Sequence, residues 1–131
     1  MKKIDAFLKS IYLGDRYCEK IDIQKNKISL QVNCISRIEK GTDGWNYYSK
    51  GDIEHGYIIF DNVTKYVIDE DLLLNDEIYE IKVVSKNEEV FLFIIYGCNV
   101  SDDMVLTDVQ LQIEAKNVYI FDEINNVFYF E

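Results

Sequence analysis

Beyond residue 20 the apolar residues of this chain recur almost everywhere at a spacing of two, and that periodicity rules out most folds. A spacing of two puts successive side chains on opposite faces of a strand. Ile21 and Ile23 alternate with Asp22 and Gln24, and Ile28, Leu30 and Val32 alternate with Ser29, Gln31 and Asn33. The turn Lys25-Asn26-Lys27 joins the two runs into a hairpin, which extends through Ile35 and Ile38 to Gly41 and Gly44. Further strands are predicted over residues 45–48, 57–68 (bent at Asp61-Asn62), 78–85, 105–114, 118–121 and 127–130, with a tight turn at Lys116-Asn117. Residues 90–96 are seven apolar residues in a row, the pattern of a central strand covered on both faces.

One segment breaks the pattern. Ile4, Phe7, Leu8 and Ile11 fall at i, i+3, i+4 and i+7, which predicts a helix over 3–13 closed by Gly14. Parallel strands need crossover connections of a dozen or more residues, and the segments between these strands are too short for them. With no proline, no strand is confined to a sheet edge on that account. The expected fold is a single mainly β domain over residues 1–131. It is an antiparallel β-sandwich or partly open barrel of about eight strands, with one short N-terminal helix.

Charge is distributed very unevenly along this sheet-forming chain. Residues 1–65 carry 11 Lys/Arg against 9 Asp/Glu, and residues 66–131 carry 3 against 15, so balances of +2 and −12 make up the net −10. So much charge of one sign repels itself within a folded domain, but it attracts basic proteins and repels nucleic acid. The expected partner is therefore a basic protein, contacted through acidic loops at Asp69, Glu70, Asp71, Asp76, Glu77, Asp102 and Asp103. Charge at a rim sets rate and specificity more than affinity, so an aromatic anchor is expected as well. Tyr47 and Tyr48 are the candidates, because neighbours in a strand point to opposite faces and one of them must face outward.

The chemistry-bearing residues are sparse. The one histidine, His55, serves as a general base only if a carboxylate orients it, and it cannot hold a metal alone. Cys18, Cys34 and Cys98 are odd in number and far apart, which suits buried reduced thiols rather than a disulfide framework or a zinc site. The carboxylate clusters do not match the spacing of a calcium-binding helix–loop–helix, although Asn62, Asn75 and Asn99 offer additional carbonyl ligands. None of the six glycines forms a phosphate-cradling pattern. No cofactor and no metal are expected. No apolar run approaches the roughly 20 residues that span a bilayer, and Asp5 and Lys9 interrupt any signal sequence after Met1-Lys2-Lys3. A cytoplasmic protein without membrane contact is expected.

Phe7-Leu8, Ile11-Tyr12-Leu13-Gly14-Asp15-Arg16, Cys18, Ile35-Ser36-Arg37-Ile38, Trp45 and Asn75-Asp76-Glu77-Ile78 together resemble an uncharacterised bacterial domain family of about this size. Its members resemble the small acidic immunity proteins that accompany polymorphic toxins. The resemblance implies a protein that neutralises a basic toxin, and it assigns no residue a role. The alternative from another class is a small β-sandwich enzyme or carbohydrate-binding module that uses loop carboxylates and exposed aromatics. A deep polar pocket would favour that alternative, and a flat or convex acidic face would favour the binding module.

Overall fold

The computed structural model describes residues 2–37 and 52–130. The predicted strands Trp45, Tyr47 and Tyr48 belong to lies outside the described residues. The chain is mainly β and antiparallel, and of the two expected architectures it takes the partly open barrel. One short helix, α1 (Lys2–Lys9), precedes β1 (Ile11–Tyr12), β2 (Cys18–Ile23), β3 (Lys27–Val32) and β4 (Cys34–Arg37). Then follow β5 (Ile53–Glu54), β6 (Tyr57–Val67), β7 (Ile78–Ser85), β8 (Phe91–Val100), β9 (Leu106–Asp122) and β10 (Val127–Tyr129). The main sheet is curled into a half-barrel in the order β2-β3-β6-β9-β8-β7, with β10 also on β9; β1, β4 and β5 form a small second sheet.

The helix is shorter than its apolar spacing predicts. Ser10 ends it, donating its hydroxyl to the Phe7 carbonyl while its N–H reaches the carbonyls of Ala6 and Phe7. Ile11 keeps its place in the core but does so from β1, paired with Arg37. Gly14 is therefore not the helix cap; a Cβ there would run into the Tyr12 ring. The turn predicted at Lys116-Asn117 is also absent. β9 runs through it because Asn117 pairs with Asp61 and Val118 with Phe60. The bend expected at Asp61-Asn62 is present: Asn62 has φ 53°, and the β6–β9 register slips between Val63 and Lys65.

The core fills the concave side. Ile28, Leu30 and Val32 alternate inward on β3, and Leu111, Ile113 and Ala115 do so on β9. Ile4, Phe7 and Leu8 of α1 close over them. The rings of Phe60 on β6 and Phe93 on β8 meet with centroids 5.0 Å apart although β9 lies between their strands. Strands two places apart in a flat sheet lie about 10 Å apart, so it is the curl that lets these side chains lean together. β8 is central, as predicted, but only one of its faces is fully buried. Phe93 and Ile95 are inside, whereas Leu92, Ile94 and Tyr96 are half-covered on the convex side.

Candidate functional site

The acidic residues converge at one end of the half-barrel. After β6 the chain turns at Asp69, whose carboxylate accepts the Asp71 N–H at 3.0 Å. The segment 69–77 then crosses to β7 by lying against the inner side of β8. Gly97 makes this possible, since a Cβ there would overlap the Leu74 side chain and the Glu77 carbonyl. Leu74 is consequently 1% exposed, a buried peg under an acidic loop.

Asn75 fastens that loop to the β8–β9 hairpin. Its Oδ1 accepts the Val100 N–H at 2.8 Å and its Nδ2 donates to the Val100 carbonyl at 3.1 Å, so one side chain imitates a strand partner. Asn99 adds a bond from Nδ2 to the Leu73 carbonyl at 2.6 Å. Both amides are thus spent on backbone groups. The Cys98 thiol donates to Asp76 Oδ2 at 3.6 Å, and the Cys98 N–H reaches the Glu77 carbonyl at 3.0 Å. The result brings Asp69, Glu70, Asp71, Asp76 and Glu77 to the same end of the sheet as Asp102 and Asp103 at the hairpin tip.

No lysine or arginine occurs between residues 66 and 81 or between 87 and 115. Among the described residues, none of these seven carboxylates has an ion-pair partner. All but the half-buried Asp76 are exposed. The hairpin tip closes through the Ser101 hydroxyl, which accepts the Val105 N–H at 3.0 Å, with Met104 at φ 63°. This turns three consecutive apolar side chains outward: Met104 is 81% exposed, Val105 58% and Leu106 58%. Sequence reading placed Val105 and Leu106 in an ordinary strand and missed them as a surface feature. The available signal was a three-residue apolar run held between Asp102-Asp103 and Thr107-Asp108. An acidic surface with an apolar tip is therefore present among the described residues, and Tyr47 and Tyr48 lie outside them.

A second surface gathers at the opposite end of β9. There Tyr57, Tyr119, Phe121, Phe128 and Phe130 form a continuous ring cluster on the convex face, with Phe121 stacked on Phe128 at 4.4 Å. Phe128 and Phe130 stay 47% and 64% exposed. The Tyr57 hydroxyl donates to Glu123 at 3.2 Å, and burial, then Glu123, raise its pKa. Of the aromatics singled out in the sequence, Phe60 and Phe93 are core.

His55 does find the orienting carboxylate. Its Nδ1 lies 2.6 Å from Glu19 Oε1. No serine or cysteine side chain bonds to the ring among the described residues, and the ring is more than half exposed. The bond to Glu19, then its charge, raises the His55 pKa above its ordinary 6.5. His55 should accordingly titrate above 6.5 by NMR, and Glu19→Gln should lower it. A raised folded pKa means the pair stabilises the fold fully below 6.5, and that contribution fades as pH rises through the His55 pKa. A His55 midpoint unmoved by Glu19→Gln would contradict the contact.

A cleft of about 700 Å³ lies between α1, residues 11–14 and β7. Among the described residues, its walls carry no histidine, cysteine or serine. Among the described residues, no three His, Cys, Asp or Glu side chains are grouped to hold a metal ion. No described helix is long and apolar enough to cross a membrane. Cys18 and Cys98 are buried while Cys34 is half-exposed, which corrects the expectation of three buried thiols; burial pushes the Cys18 thiol up to about 11.

No curated protein and no solved structure matches the chain. A family model does match, over residues 1–128. The half-barrel with its asparagine-fastened acidic end thus belongs to a member of DUF6258, a family of unknown function.

Proposed function

We propose that this domain is an acidic protein-binding module of the bacterial cytoplasm whose partner is a basic protein, with neutralisation of a basic toxin as its role. The observation that carries the reading is the Asn75–Val100 pairing, which holds two acidic loops beside the exposed Met104, Val105 and Leu106. Carboxylates without ion-pair partners at that end would steer a basic protein. The apolar tip would supply the desolvated contact that charge alone does not.

The test begins by isolating the partner by affinity capture with the whole domain from the organism's own secreted and neighbouring gene products. The association rate is then measured at two salt concentrations. A steered complex should associate about 10- to 1000-fold faster at low salt than with its charges screened. Reversing Asp69, Asp71, Asp76 and Glu77 together should remove that acceleration. An acidic partner, or an association rate indifferent to the four reversals, would leave the charge serving solubility alone.

A second reading, binding of a carbohydrate, is favoured only by the exposed ring cluster around Phe128. Loss of glycan binding on Phe128→Ala would single it out.

A further inference from the structure

The main sheet ends at β7, and the cleft of about 700 Å³ runs along that edge, lined by every residue from Glu77 to Val84. Which backbone groups face the cleft follows from the ladder. Antiparallel pairs alternate between bonded and non-bonded. The Cys98 N–H bonds to the Glu77 carbonyl at one end of β7, and the Lys86 N–H bonds to the Val90 carbonyl at the other. With the slip between Ile78 and Glu80, the bonded pairs are Glu80 with Tyr96, Lys82 with Ile94 and Val84 with Leu92. The N–H and C=O groups of Ile81 and Val83 must then point away from β8, into the cleft.

The first part of the same edge is already used as a pairing track. Tyr17 bridges Glu77 in antiparallel fashion, the Ile78 N–H bonds to the Arg16 carbonyl at 3.4 Å, and the Cys18 N–H bonds to the Asp76 carbonyl at 2.8 Å. Among the described residues, no strand or loop bonds to the track beyond Ile78. Across from it stand Leu8, Ile11 and Leu13, and the half-buried side chains of Ile81 and Val83 complete an apolar wall. The charges on the walls are largely satisfied from within: Lys9 pairs with Asp5 at 2.9 Å, and Lys82 lies 4.0 Å from Glu80.

We infer that this slot receives an extended segment of another protein, which adds to β7 as a further strand through the Ile81 and Val83 backbone and places alternate apolar side chains against Leu8, Ile11 and Leu13. An open edge with a helix along the far wall of the slot suits strand addition: main-chain bonds hold the segment and the apolar wall selects its side chains. The occupant is a lone strand rather than a second copy. A second copy would bring its own α1 and its own 16–18 segment to the same edge. The slot's own charges, Asp5, Lys9, Glu77, Glu80 and Lys82, sum to −1, so it asks for a near-neutral apolar segment, unlike the acidic end. The inference goes beyond the acidic end and stands without it.

The test uses the intact domain and a library of random peptides displayed on phage. Enriched sequences should alternate apolar residues over about five positions. A synthetic peptide of the enriched sequence should slow amide exchange at Ile81 and Val83 about tenfold or more. Val83→Pro should weaken that peptide about tenfold, as loss of one or two hydrogen bonds does. N-methylating the peptide at alternate positions should do the same with the domain unaltered, so a folding defect in the variant does not decide the matter. Reversal of Asp69, Asp71, Asp102 and Asp103 at the acidic end, none of which lines the slot, should leave peptide binding intact. The inference is overturned by any of three results: no enrichment, binding that leaves the Ile81 and Val83 amides unchanged, or sedimentation showing that a second copy already protects them.

Discussion

Phe93→Ala is expected to destabilise the domain by about 3–5 kcal/mol, the range for a fully buried phenylalanine whose surroundings cannot collapse. Phe93 is 0% exposed, and its ring touches those of Phe60 at 5.0 Å and Phe91 at 6.5 Å. The Phe60 contact comes from β6, two places away in a curled sheet, so closing the hole means flattening the curl. Flattening would in turn lift α1 from the concave face. A domain of ordinary stability holds about 5–15 kcal/mol, so the variant stands near half unfolding under mild denaturant. Urea unfolding at constant m would measure the loss. A cost below about 1.5 kcal/mol, the level of a tolerated volume change, would mean that the Phe60–Phe93 contact does not hold the curl.

How far the sequence foretold this arrangement depends on whether the signal was local. The β2–β3 hairpin was legible because both runs keep strict alternation and the register pairs Ile23 with Ile28 around the turn. β9 was misread for the opposite reason. Lys116 and Asn117 are turn residues locally, yet both sit exposed on a strand whose pairing with β6 carries through them. Helix α1 ended early because Ile11, which continues the helical spacing, gains a strand partner in Arg37. No local pattern reports a partner 26 residues away.

The same division holds for the site. The carboxylates of 69–77 and 102–103 were visible as charge. Their assembly was not, because it rests on one side chain, Asn75, which reads locally as a loop residue. The apolar tip at Met104 was hidden as well, because it depends on a hairpin closure set by Ser101.

Gly97→Val should have the next largest effect, about 3 kcal/mol, at the upper end of ordinary overpacking. The added side chain has nowhere to go: the Leu74 side chain and the Glu77 carbonyl occupy its place, and Ile78 Cα lies 3.4 Å from where its Cβ would be. Relief requires the 69–77 segment to leave the sheet, taking Asp69, Glu70, Asp71, Asp76 and Glu77 with it. Amide exchange should therefore accelerate over 69–77 and at Val100, whose N–H is held by Asn75, while β3 and β9 stay protected. Asn75→Ala makes the milder version of the same change, removing the two Val100 bonds without altering a single charge. Each lost bond to a partly solvated backbone group costs about 1 kcal/mol. If binding needs the two acidic loops and the apolar tip in one shape, Asn75→Ala should speed dissociation of the partner and leave its salt-dependent association unchanged. If only charge matters, neither rate should move, and the fastening of the acidic end would serve the fold alone.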